Sequence, residues 1–398
     1  MADAILTLNA GSSSIKVGLF EVTGGGLLQR VSRGQVEGIG SRPHFIAQDE
    51  RGRAPPGRDR LAPDQTFQAP METAIGWAES QLGADALIAV GHRVVHGGAD
   101  HIGPELVSDD LLAALDRLAP LAPLHEPHNI APIRAIATAR PGLPQIVCFD
   151  TAFHHTMPKV ATRFALPRDY EEAGVRRYGF HGLSYEYIAN RLRDIAPILL
   201  EGRVIVAHLG NGASLCAMRQ GRSIDTTMGF TTLDGLVMGT RCGNLDPGVV
   251  LYLQRERKLT LPQVEDVLYR QSGLLGVSAG IASDMRTLLA SKDARAGEAI
   301  DLFVFRIARE IGALASSLGG LDGLVFTAGI GEHAPEIRAK VCARLGWLGA
   351  ELDVEANARD AAIISLPQSR VEIRVTPTDE ERMIAMHTLA MLRGVSTM

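Results

Sequence analysis

Cysteine is scarce in this chain of 398 residues: Cys148, Cys216, Cys242 and Cys342 stand far apart, form no C-x-x-C pair and are too few to staple a fold of this size. They read as reduced thiols, so a cytoplasmic protein is expected. No apolar run is long enough to span a bilayer, and the opening "MADAILTLNAGSS" has neither a basic n-region nor a cleavage site. No membrane partner is expected. Charge of one sign is also lacking. With a formal net charge of −5 and no run of like charge, there is no electrostatic case for nucleic acid. A G-x-x-x-x-G-K-[ST] loop is missing too, which disfavours a P-loop kinase. What is present is length and apolar content, 46% hydrophobic residues, enough for two cores and therefore a ligand crevice between two domains.

The stretch "LTLNAGSSSIKVGLF" (Leu6 to Phe20) alternates apolar and polar residues on either side of a Gly/Ser tip, the pattern of a hairpin. Half a chain later "VIVAHLGNGASLCAMRQGRSIDT" (Val204 to Thr226) has an apolar run, a tip at "GNGAS", a second run, a turn at "RQG" and a third run. A second echo joins "ALIAVGHRVVHGG" to "DGLVFTAGIGEHA", each an apolar strand entering a glycine loop. The order predicts an α/β fold made of two duplicated halves, each a mixed sheet flanked by helices. Helical periodicity is clearest in "ETAIGWAESQLG", "DLLAALDRLA", "AIDLFVFRIAREIGALASSLGG" and "EERMIAMHTLAMLRG". Ser41 to Gln65, polar and proline-bearing, reads as a loop or edge insertion.

Glycine, serine and asparagine at a tight tip either merely form the turn or present backbone N–H groups and hydroxyls to phosphate oxygens. Two such tips at matching places favour the second reading. In "GHRVVHGG", Arg93 offers a planar cationic fork for a carboxylate or phosphate. His92, His96, His125 and His128 invite a zinc reading, but a strand and a glycine loop give their spacing no ligand geometry. Asp150 ends an apolar strand in "QIVCFDTAFHHTMP". There it can orient a nucleophile, hold a metal's waters or only cap the turn. His181 stands in "RYGFHG" and Arg241 in the glycine-rich "GLVMGTRCGNLDPG". With Arg93, Arg241 supplies a second cation to flank a phosphoryl group. Asp379, Glu380 and Glu381 open the last helix, where the dipole alone favours acids.

Nine motifs, "LTLNAGSSSIK", "GHRVVHGG", "FDTAFHHTMP", "RYGFHG", "HLGNGAS", "DTTMGFTTLDGLVMGTR", "SDMR", "FTAGIGE" and "PTDEE", stand in the order seen in acetate kinases, and across nearly its whole length the chain resembles that family. The resemblance implies two duplicated RNase H-like domains of the actin-like ATPase type. The N-terminal one would span 1–150 plus 378–398 and the nucleotide-binding one 151–377, in a cytoplasmic homodimer. It implies phosphoryl transfer between ATP and acetate, giving ADP and acetyl phosphate, with Mg²⁺ or Mn²⁺. Propionate or another short-chain fatty acid is the alternative acceptor. Arg93, Asp150, His181 and Arg241 would be catalytic. Asn9, Ser12, Ser14, Lys16, His208, Gly210, Asn211, Gly212, Asp284, Arg286, Gly329 and Gly331 would bind ATP. Val95, Leu124, Phe180 and Thr232, with Arg93, would line the acyl pocket, and Asn9 and Glu380 would serve the metal. An attacking carboxylate is already ionised at neutral pH and needs no general base. A sugar kinase would need one, and a chaperone-type ATPase would need a peptide-binding domain where only a helix is expected. The chain departs from the family pattern at Thr232 (often Pro), Tyr185 (often His), Glu126 (often Asn), His333 (often Asn) and Cys242 to Asn244 (often Ser-Gly-Asp).

Overall fold

The alternation around the first tip becomes a pair of strands, β1 (Ala4–Ala10) and β2 (Ser14–Val22), antiparallel with Ala10 opposite Ile15 and Asn9 opposite Lys16. The structure, a computed structural model, describes residues 3–10, 14–37, 44–49, 68–82, 86–119 and 126–395. It divides into two compact units. One is Met1–Phe153 with Gly182–Ser184 and Asp379–Met398, and the other is His154–His181 with Tyr185–Thr378.

In the first unit β1 and β2 are joined by β3 (Leu28–Glu37), β4 (His44–Asp49), β5 (Leu87–Val94), β6 (Glu105–Leu106) and β7 (Gln145–Phe149), in the order β4-β3-β2-β1-β5-β7-β6. The stretch read as an edge insertion thus contributes an edge strand, β4; residues 50–65 lie outside those described. The apolar residues Leu6, Leu8, Ile15, Val17 and Leu19 pack against Met71, Ala74, Ile75 and Ile136, which come from helices Gln68–Leu82 and Glu126–Ala139. Ile5 and Phe20 pack instead against Ala385 and Leu389 of the C-terminal helix Glu380–Leu392. That helix seats closely because Gly91 has no side chain. A Cβ there would stand 2.3 Å from Thr388 Oγ1 and 2.6 Å from Ile384 Cγ2.

In the second unit β8 (Arg203–Leu209), β9 (Ala213–Arg219), β10 (Arg222–Thr226), β11 (Gly323–Thr327) and β12 (Glu372–Val375) follow the order β10-β9-β8-β11-β12. Two antiparallel pairings followed by two parallel ones repeat the run β3-β2-β1-β5-β7 of the first sheet. The expected duplication is therefore visible as topology. The helix Ala294–Leu318 covers this sheet with a stripe that includes Phe303, Ile307, Ile311 and Leu314, all buried. One local expectation changes. "AGIGEH", read as a glycine loop, is a helix, Ala328–His333, directly followed by Pro335–Cys342. The Glu332 carboxylate accepts the Ala328 N–H at 2.7 Å and secures that first turn, an intrahelical cap that local glycine content conceals.

Candidate active site

In the first unit three strand ends and the start of the C-terminal helix deliver four polar side chains to one place. Arg93 lies on β5, opposite Cys148 of β7 in the parallel register, which puts it next to Asp150 just past the end of β7. Its Nε lies 3.1 Å from each Asp150 carboxylate oxygen and its Nη2 2.6 Å from Oδ2, a two-point pairing of fork and carboxylate. Nη1 donates to Asn9 Oδ1 at 3.0 Å, and Asn9 Nδ2 donates to Glu380 Oε2 at 2.7 Å. Asp150 is 1% exposed, so its charge is carried by the arginine. For Arg93 itself, burial works against the cation, but the pull of Asp150, and then of Glu380, outweighs it and raises the guanidinium pKa. The cation is permanent.

The three acids of "PTDEE" separate by role. Asp379 caps the last helix, accepting the Arg382 N–H at 3.0 Å, and pairs with Arg30. Glu381 is largely enclosed, and burial pushes its carboxyl pKa up. Glu380 alone is held by Asn9, beside Arg93. Lys16 stands opposite Asn9 in the register and is exposed. Ser14 opens β2, whereas Ser12 and Leu124, like His125, lie outside the described residues.

Asn129 escaped the sequence reading. It is 1% exposed, accepts the Val95 N–H at 2.9 Å and donates to the Ala10 carbonyl at 2.9 Å, so it ties together the ends of β1 and β5 that carry Asn9 and Arg93. Its only signal in the sequence was a polar residue one helical turn after Glu126. Two of the four histidines whose spacing gave a zinc site no ligand geometry have structural partners. His92 Nε2 meets Gln145 Oε1 at 2.8 Å, and burial lowers its pKa to about 4. His96 Nδ1 accepts the Gly98 N–H at 2.9 Å.

In the second unit the tip between β8 and β9 is closed by Gly210 N–H donating to the Gly212 carbonyl at 3.0 Å, and Gly239 N–H donates to the Asn211 carbonyl at 3.0 Å. Asn211 itself is exposed. Arg241 and His181 both border Gly212. A Cβ on that glycine would stand 2.9 Å from Arg241 Nη2 and 3.3 Å from His181 Nε2, so glycine is what lets both side chains reach the tip. Arg241 Nη1 donates to the Thr232 carbonyl at 2.8 Å. A proline at 232 would offer the same carbonyl, so threonine keeps that bond while changing the side chain and adding a backbone N–H. His181 takes a left-handed backbone, φ 58°, at the start of helix Gly182–Ile195, and its ring stacks on His208 at 4.3 Å between centroids. Phe180 and Val95 are buried. The Phe180 carbonyl accepts from His154 Nε2 at 3.0 Å.

The residues expected at the adenosine lie on separate elements of this unit. Asp284 caps helix Met285–Ala290 through the Thr287 N–H at 2.9 Å, a bond that lowers its pKa, and Arg286 is exposed beside it. Gly329 is exposed and Gly331 buried in the short helix, which Arg338 holds from below. Arg338 is fully buried; its Nη1 donates to the carbonyls of Gly331 at 2.9 Å and Glu332 at 2.8 Å, and its Nη2 to Asp360. Nothing in "PEIRAKV" marked this arginine as internal.

Duplicated mixed sheets, with an Arg–Asp–Asn–Glu cluster in one unit and a glycine tip ringed by arginine and histidine in the other, define a phosphotransferase of the actin-like ATPase fold. The match to the acetokinase family over residues 4–386 narrows the class, and the chain belongs to that family, whose kinases phosphorylate a carboxyl group. It is similar to the acetate kinase of Rhodopseudomonas palustris strain ATCC BAA-98 / CGA009, with 56% identity over 99% of this chain and 100% of that one. The acetate kinase of Nitrobacter hamburgensis is 51% identical, over 98% and 96%. Among solved structures, a propionate kinase from Francisella tularensis superimposes with a TM-score of 0.89 at 36% identity over 97% of this chain and 98% of that one. Porphyromonas gingivalis acetate kinase gives 0.86 at 36% identity over 98% and 100%.

Proposed function

We propose that the chain transfers the γ-phosphoryl group of ATP to acetate, reversibly, giving ADP and acetyl phosphate. The observation that carries this reading is the Arg93 fork, fixed between Asp150 and Asn9: a permanent cation suited to a carboxylate, at a site where the acceptor needs no base to activate it. Arg93 is assigned to the acceptor carboxylate. Arg241, His181 and the Gly210–Gly212 tip are assigned to the phosphoryl oxygens, whose charge in the transition state asks mainly for positioned donors and cations. Asp150 holds Arg93 in place. Lys16, Ser12, Ser14, His208 and Asn211 are assigned to the ATP phosphates, and Asp284, Arg286, Gly329 and Gly331 to the adenosine. Residues 1–150 plus 378–398 are read as the carboxylate-side domain and 151–377 as the nucleotide-binding one.

The Glu380 carboxylate is a hard oxygen donor set for it and fits Mg²⁺, or Mn²⁺, better than a softer metal. When bound, the ion would neutralise phosphate charge. Both ends of the Asn9 amide are engaged, one by Arg93 and one by Glu380, so Asn9 serves that ion by orienting Glu380 rather than as a ligand. Replacing Asn9 by alanine therefore loosens two groups at once. Turnover is expected to fall about 10- to 100-fold, with the metal dependence shifted to higher concentration; unchanged kinetics would reduce the tip to a simple turn.

The reading is tested by incubating the purified chain with ATP, a magnesium salt and a carboxylic acid, and trapping the acyl phosphate with hydroxylamine. Acetate is expected to support the highest turnover and propionate a lower one. Higher turnover with propionate would assign the acceptor to the longer acid and implicate Thr232. No acyl phosphate from acetate, propionate or butyrate would end the kinase reading. A homodimer and a cytoplasmic location complete the proposal, the first checked by light scattering. Among the described residues no helix is long and apolar enough to cross a membrane.

A further inference from the structure

Tyr185 stands one helical turn after His181 and is fully buried, its ring edge-on to both His154 and His208. Its hydroxyl lies 2.5 Å from Ser214 Oγ, and the same oxygen lies 2.8 Å from His181 Nδ1. Ser214, also fully buried, opens the β9 side of the glycine tip and pairs with His208 across the sheet. Three polar groups thus form a short chain that runs from the interior to the edge of His181 away from the tip.

The direction of that chain follows from acidity. A phenol titrates near 10, far below an aliphatic alcohol, so Tyr185 is the better donor and Ser214 the better acceptor of the two hydroxyls. With Tyr185 O–H donating to Ser214, the single serine proton points to His181 Nδ1. The imidazole must then carry its proton on Nε2, the nitrogen that faces Gly212. A ring that accepts at Nδ1 is neutral, and Arg241 Nη2 borders the same glycine.

We propose that Tyr185, acting through Ser214, is a positioning residue that holds His181 as its neutral Nε2–H tautomer, so that a hydrogen-bond donor is presented beside Gly212. The assignment rests on the reading of that tip as the phosphoryl site, since the ligand of such a donor is a phosphoryl oxygen. A histidine acceptor there would repel the same oxygen. Tyrosine at this position, where the family pattern often has histidine, supplies a donor that does not change charge near neutral pH.

The test is nitrogen NMR of the full chain labelled in histidine, with His181 assigned by its loss in His181→Asn. The wild type is expected to show the Nε2–H tautomer across the neutral range. Tyr185→Phe removes the donor and frees Ser214 to accept from Nδ1–H, so a shift toward the other tautomer is expected. kcat should fall about 10- to 100-fold while the KM for acetate stays within about twofold. Ser214→Ala should do the same and Ser214→Thr should restore both. An Nδ1–H tautomer or an imidazolium in the wild type at neutral pH would overturn the proposal, whether or not the Tyr185 and Ser214 variants fold. So would a Tyr185→Phe protein with an unchanged tautomer. The tautomer is read without turnover, so a failed kinase assay and a failed relay give different results.

Discussion

Arg93→Ala is expected to reduce turnover by about three to four orders of magnitude, because the fork assigned to binding and aligning the attacking carboxylate is lost. The same change strips Asp150 of its two-point guanidinium pairing. An aspartate only 1% exposed would keep its charge without that cation, which costs about 3–5 kcal/mol of stability, so the melting temperature should drop with the activity. Those two losses separate in a second variant. Adding Asp150→Asn to Arg93→Ala removes the uncompensated charge and is expected to recover most of the stability and none of the turnover. Arg93→Lys retains a cation but loses the fork that spans Asp150 and Asn9, and should fall between the two. Thermal melts and hydroxamate assays on the four proteins decide the matter. Turnover of the alanine variant within tenfold of the wild type would remove Arg93 from the chemistry.

Glu126→Gln is expected to change how stability depends on pH. Glu126 is fully buried at the start of helix Glu126–Ala139, and neither carboxylate oxygen has a hydrogen-bond partner among the described residues. Burial pushes its pKa up to about 8; the nearby His96 backbone pulls the other way without making a bond of normal geometry, and the Asp150 charge adds to the rise. The unfolded chain releases this proton near 4.5. Below that pH both states hold the proton and the group is silent. As pH rises toward 8 only the unfolded state has ionised, and stability is lost steadily; above 8 the folded state ionises too and the loss is complete. The wild type should therefore lose about 3 kcal/mol between pH 5 and pH 8 relative to the glutamine variant. Glutamine pays a fixed penalty for an unpartnered amide, so the comparison that counts is the slope with pH. Parallel stability curves for the two proteins would show that Glu126 is not held protonated.

Local pattern determined a good deal of this protein without any tertiary information. Period-two alternation in Ile15, Val17 and Leu19 produced a strand, and "NAGSSS" and "GNGAS" marked where one strand of each antiparallel pair gives way to the next. Amphipathic runs became the helices Asp109–Leu118, Ala294–Leu318 and Glu380–Leu392. Such features depend on neighbours within a few residues, so they are written in the order of the chain. The duplication was legible for the same reason, because each half repeats a local grammar.

Partnership was not legible, because it joins residues remote in sequence. Asn9 and Glu380 are 371 positions apart and share a hydrogen bond, and only the fold separates Glu380 from Asp379, which caps and pairs, and Glu381, which is enclosed. Asn129 looked like one more polar residue until it was found bracing two strand ends. "AGIGEH" read as a loop because glycine content speaks for turns, whereas a glutamate cap and the buried Arg338 make it a helix. Which of its acids and histidines carry charge, and which nitrogen of His181 bears the proton, rests on burial and on hydrogen bonds that only the packed structure supplies.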